Sequence, residues 1–165
     1  MRSTVLRTLL SSALLLAGCA VAPKPAEPQT AEPGAIVYET APCYGLCPVY
    51  RVTIASDGTG TFTGMQHTVI TGDRKFAASP DQFAAFAKVL APYRPKGTRD
   101  ITPGQPDCVD AATDMPSVDV QWKSGTATDK LTLYYGCNLQ TGQAMAEALR
   151  TAPEMLPIAD FIGKR

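Results

Sequence analysis

Cys43 and Cys47 stand four positions apart, with Gly45 between them and Pro48 directly after. Two sulfurs so placed in a turn can close a disulfide, hold Cu(I) or Zn as thiolates, or take part in thiol redox chemistry. A nearby histidine would complete a metal site, and the chain has a single one, His67. Cys108 and Cys137 supply a second pair of sulfurs, and Cys19 a fifth near the N-terminus. The acids Asp107, Asp110, Asp114 and Asp119 lie close in sequence but lack the spacing of a calcium loop, so turn caps and solvated carboxylates are expected there. Tyr44, Tyr50, Tyr134 and Tyr135 could form an aromatic surface, with Tyr50 and one of the last two expected in the core. No G-x-S-x-G, S-x-x-K, H-E-x-x-H or P-loop occurs, so no catalytic residues are assigned and no enzyme is expected.

Compartment decides which sulfur chemistry is open. Residues 1–18 have the form of a secretory signal, with Arg2 and Arg7 ahead of an apolar run too short to span a bilayer. The run ends Leu16-Ala17-Gly18-Cys19, which resembles the lipobox of bacterial lipoproteins. That resemblance implies that Cys19 becomes the first mature residue and carries lipid such as palmitate. It makes the membrane a partner through several acyl chains. Ala20 in place of an aspartate leans towards the outer membrane, facing the periplasm or the surface. The full chain carries 15 basic and 15 acidic groups; losing Arg2 and Arg7 leaves a net charge of −2. Such a balance gives no reason to expect nucleic acid as a partner. Another envelope protein is the remaining partner class.

Residues 19–34 hold the lipidated cysteine and a proline-rich tether. At about 3.1 Å per residue in polyproline II, the tether reaches roughly 45 Å. One domain, residues 35–165, is expected to follow, with enough chain for a real core. Ile36-Val37-Tyr38 opens it as a short strand. Tyr50, Val52 and Ile54 alternate with Arg51 and Thr53, as in a half-buried strand. Asp57-Gly58 predicts a type I′ hairpin turn, and the return strand runs over 60–65 with Phe62 inward. His67–Thr71 and Arg74–Ala77 read as a further strand turned at Gly72-Asp73. Ser79-Pro80-Asp81-Gln82 is a capping box opening a helix whose buried stripe is Phe83, Phe86, Ala87 and Leu90. Residues 94–116 read as irregular. Strands around Val118–Trp122 and Leu131–Tyr135 follow, then a helix from Thr141 or Gly142, and a capping box at Thr151–Glu154. The order β-β-β-(β)-α-β-β-α predicts an α+β domain, an antiparallel sheet of five to six strands with two helices on one face.

With Cys19 taken by lipid, four cysteines remain in an oxidising compartment, and three pairings are possible. Cys43–Cys47 with Cys108–Cys137 is the favoured one, because Cys108 lies in the loop feeding the strand partner of the one Cys137 ends. Four extended residues would hold Cys43 and Cys47 roughly 13 Å apart, beyond disulfide reach, so the backbone must bend, and Gly45 allows it.

Two further resemblances bear on the same stretch. Cys43-x-x-x-Cys47-Pro48 resembles the copper site of Sco-type copper chaperones. It implies a metal set of Cys43, Cys47 and His67, with copper as cofactor, but those chaperones use a thioredoxin-like core and here consecutive strands follow. The run Cys43, Gly45, Cys47, Pro48, Tyr50 and Asp57-Gly58, with Thr113, Asp114, Pro116 and Ser117 later, resembles an uncharacterised bacterial domain family common in short lipoproteins. That likeness spans about residues 35–160 and implies a fold without an activity. The expected function is a lipid-anchored, disulfide-stabilised binding or structural module of the cell envelope with no cofactor. The alternative is a periplasmic copper-binding or thiol-redox protein.

Overall fold

The structure, a computed structural model, describes residues 33–139 and 142–163. Cys19, the signal and most of the tether lie outside the described residues. The fold is α+β. Its strands are β1 (Ala35–Thr40), β2 (Val49–Ala55), β3 (Thr59–Gln66), β4 (Gly72–Ala77), β5 (Thr98–Ile101), β6 (Ser117–Ser124) and β7 (Ala127–Tyr134). The helices are α1 (Pro80–Leu90), α2 (Gln143–Thr151) and α3 (Ala159–Ile162). The strands form one sheet in the order β4-β3-β2-β1-β6-β7-β5.

The sheet is larger than the five to six strands expected, and it is mixed rather than wholly antiparallel. The addition is β5, inside the stretch read as irregular, and it pairs parallel with β7 from Thr98–Lys130 to Ile101–Leu133. Thr-Arg-Asp-Ile is too short and polar to signal a strand, since only Ile101 is buried. Its place is set from outside. The Gly97 carbonyl accepts from the Lys130 N–H, and the Gly97 N–H donates to the Asp129 carboxylate.

Alternation along the inner strands sends Ile36, Tyr38, Tyr50, Val52, Ile54, Phe62, and across the sheet Val120, Trp122 and Leu131, to one face. Both long helices cover that face. The Tyr38 ring meets Phe86 of α1 edge-on at 6.3 Å, and its hydroxyl donates to the Leu149 carbonyl of α2 at 2.8 Å. The opposite face is polar. One register line across it reads Asp73, Thr63, Arg51, Glu39, Asp119 and Thr132.

Three local expectations are corrected. The β2–β3 connection is a three-residue loop, not a type I′ turn. The Ala55 carbonyl accepts from the Gly58 N–H, and Gly58, not Asp57, takes positive φ (+84°). Asp57 instead caps the turn, accepting from the Thr59 N–H and hydroxyl. His67–Thr71 is not a strand but the β3–β4 loop. Its Val69 and Ile70 N–H groups donate to the carbonyls of Ile162 and Phe161. Thr151 does not cap a helix through Glu154; its hydroxyl donates back to the Glu147 carbonyl, and a 3₁₀ turn, Ala152–Met155, continues from α2. The capping box at Ser79–Gln82 is present with both of its bonds. Among the described residues no helix is long and apolar enough to cross a membrane.

Candidate functional site

Pro42 to Pro48 must reverse the chain between β1 and β2, and it does so around Cys43 and Cys47. Their Cα atoms are 5.7 Å apart and the sulfurs are bonded. Gly45 stands at φ +148°, a conformation L side chains rarely adopt. Three hydrogen bonds fasten the turn. The Tyr44 N–H donates to the Asp114 carbonyl at 3.1 Å. The hydroxyl of Thr40, at the end of β1, donates to the Pro48 carbonyl at 2.8 Å and accepts from the Tyr50 N–H at 3.0 Å. The tip presents Tyr44 and Leu46, 90% and 81% exposed. Side chains of that size left in water are the unusual feature of this surface.

Cys108 and Cys137 form the second disulfide, with Cα atoms 4.8 Å apart and both residues buried. It clamps the 102–116 loop to the end of β7, where an isolated bridge joins Val109 to Asn138. The same loop is held by Tyr134, whose hydroxyl donates to the Ala112 carbonyl and accepts from the Met115 N–H. Met115 is thereby fixed beside the cysteine turn, and it is exposed there.

Between the turn, this loop and the end of α2 lies a groove of about 200 Å³. Tyr38 and Tyr50, whose rings are stacked 6.2 Å apart, line it from the sheet. Pro48, Pro116 and Tyr135 also line it, and Arg150 adds a guanidinium. That guanidinium lies 5.1 Å from the centre of the Tyr135 ring and donates through Nη1 to Glu147 at 2.6 Å. Among the described lining residues there is no carboxylate and no histidine, and Cys47 is bonded to Cys43. What the described lining offers a ligand is apolar surface and one guanidinium.

The other candidate residues do not converge. His67 is exposed in the β3–β4 loop with φ +53°. The Val49–Gln66 pair puts it at the same end of the sheet as the cysteine turn. Among the described residues no three His, Cys, Asp or Glu side chains gather in a metal-holding group. Asp107 pairs with Arg99 at 2.9 Å. Asp119 pairs with Lys130 at 2.9 Å, and this hydrogen bond holds the Lys130 ammonium above its ordinary pKa. Asp110 and Asp114 sit at turns with positive φ. Tyr134 and Tyr135 are both half-buried, so neither is wholly core.

Sequence reading misses Tyr38, Thr40, Met115 and Arg150 as neighbours of the cysteine turn. No local pattern signals them, because Arg150 lies more than a hundred positions from Cys47 and meets the groove only when α2 packs on the sheet. Compared with known families, the chain matches the model of a domain of unknown function over residues 34–156. No curated protein matches it.

Proposed function

The chain belongs to this family, DUF6438, and on that premise we propose that the protein is a lipid-anchored, disulfide-stabilised binding module of the cell envelope rather than an enzyme. The groove beside the Cys43–Cys47 turn is its binding site. The observation that carries this reading is the groove itself: an apolar recess with one cation among its described lining residues, braced by two disulfides and flanked by exposed Tyr44, Leu46 and Met115. Braced walls lower the ordering cost that a ligand must overcome. Anchoring is supported by Leu16-Ala17-Gly18-Cys19 and by disulfides that an oxidising compartment preserves. The spaced residues Cys43, Gly45, Cys47, Pro48 and Tyr50 are read as the family's structural signature, since each shapes the turn or the groove.

Binding is tested by NMR with millimolar neutral, cationic and anionic aromatic fragments. Shifts confined to Met115 and the groove tyrosines are expected, and silence from every fragment would refute the site. Anchoring is tested by Cys19→Ser, which is expected to release the protein from the membrane fraction; unchanged fractionation would overturn it. Copper or thiol chemistry at Cys43 and Cys47 is the second reading, favoured by two half-buried sulfurs on one turn. It requires Cu(I) binding by the reduced protein that is lost in Cys43→Ser/Cys47→Ser.

A further inference from the structure

Resting on the binding reading above, we infer that the groove takes a small amphipathic carboxylate: an aromatic or short hydrocarbon body with one carboxylate, the body against Met115, Tyr135 and the two prolines and the carboxylate on Arg150. Size sets the body. An apolar cavity of about 150 Å³ accepts a benzene ring, so a groove of about 200 Å³ accepts a ring with a short side chain. Met115, Pro48, Pro116 and the half-buried ring of Tyr135 offer it apolar contact, above a floor that Tyr38 and Tyr50 close with only their edges, 2% and 1% exposed.

Charge sets the head group. Arg150 is the only ionised side chain among the described lining residues, and its side chain is about half exposed, so an incoming anion reaches it. Glu147 occupies Nη1, but a guanidinium carries five donors in a fork that matches a carboxylate. Contact with the Tyr135 ring holds this fork over the groove.

The main chain around the groove argues against an extended peptide as occupant. A peptide added to a strand edge needs successive N–H and C=O partners. Pro48 and Pro116 offer no N–H. Their carbonyls already accept from the Thr40 hydroxyl and the Tyr135 N–H, and the Ser117 carbonyl accepts from the Ala41 N–H. What the rim offers is side-chain chemistry, which suits a small ligand.

The experiment titrates the exported, oxidised full chain carrying Cys19→Ser with 4-phenylbutyrate, 4-phenylbutyramide and 4-phenylbutylamine, followed by NMR and calorimetry. The acid is expected to bind about tenfold more tightly than the amide, and the amine more weakly still. Arg150→Gln should remove the preference for the acid, so that acid and amide then bind alike. Glu147→Gln should strengthen acid binding by releasing Nη1, and added salt should weaken it. Equal binding of acid and amide at the groove would overturn the carboxylate assignment while the binding reading stands. Silence from all three would overturn both. A short peptide ending in phenylalanine that binds more tightly than 4-phenylbutyrate would overturn the small-ligand assignment.

Discussion

The two disulfides should differ in what they contribute to stability, and the difference follows from the chain each one closes. Cys43 and Cys47 are 4 positions apart, whereas Cys108 and Cys137 are 29 apart. A cross-link acts largely by removing conformations from the unfolded chain, and more are removed by a longer loop. The loop-entropy relation gives about 3.6 kcal/mol for the long bridge and about 2 kcal/mol for the short one. With unfolding entropy of about 2.1 cal/mol/K per residue, a domain of about 130 residues loses roughly 4 °C of Tm per kcal/mol. Cys108→Ala/Cys137→Ala should therefore melt about 13 °C lower than the parent, and Cys43→Ala/Cys47→Ala about 7 °C lower. Burial sharpens the contrast. Cys108 and Cys137 are each 7% exposed, so their loss also leaves unfilled volume in the core. Calorimetric melts of the oxidised parent and the two double variants measure this. Under mild reductant, trapped thiols read by mass should appear first at Cys43 and Cys47, which solvent reaches more easily. A short-bridge variant that melts as low as the long-bridge variant would refute the entropic account.

Two other perturbations test how the frame around the groove is held. Gly58→Ala places a Cβ 2.3 Å from the Ala78 carbonyl oxygen at φ +84°, whereas Gly97→Ala has the same φ and open space. The first should cost about 3 kcal/mol or more and the second about 1 kcal/mol, read from urea midpoints; equal losses would refute the steric term. Asp129 accepts from the Gly97 N–H at 2.8 Å and from Arg94 Nε at 2.7 Å, which hold its carboxyl below the ordinary value of about 3.9. A depressed folded-state pKa stabilises the fold above that ordinary value, and this is lost as pH falls below it towards the folded value. Asp129→Asn should thus cost about 1.5–3 kcal/mol at neutral pH. Its stability should vary less than the parent's below about pH 4. Parallel acid-unfolding curves would contradict the assignment.

Much of the frame is readable from local pattern, for identifiable reasons. Alternation in β2 is visible because Tyr50, Val52 and Ile54 share one buried face and Arg51 and Thr53 the other. The start of α1 is visible because both bonds of its capping box lie within four residues. Asp57-Gly58 marks the place of the hairpin but not its geometry. Asp-Gly suits several turns, and here the choice falls with Gly58, whose N–H and C=O bond Ala55 and Ala78. The 67–71 segment resembles a strand in composition, yet its Val69 and Ile70 N–H groups are taken by the chain beyond α2.

What the sequence by itself determined is the set of elements that satisfy themselves locally: the alternating strands, the capped helix and the bend that Gly45 permits between two cysteines. The tertiary structure alone decided what stands beside that bend. β5 is a strand because β7 presents a free edge to it, and Arg150 faces the cysteine turn because Leu149 accepts the Tyr38 hydroxyl across 111 positions. Local spacing encodes turns and faces, because those depend on neighbouring dihedrals and side-chain periodicity. The groove depends on how a helix packs across a sheet, and no short stretch of chain carries that information.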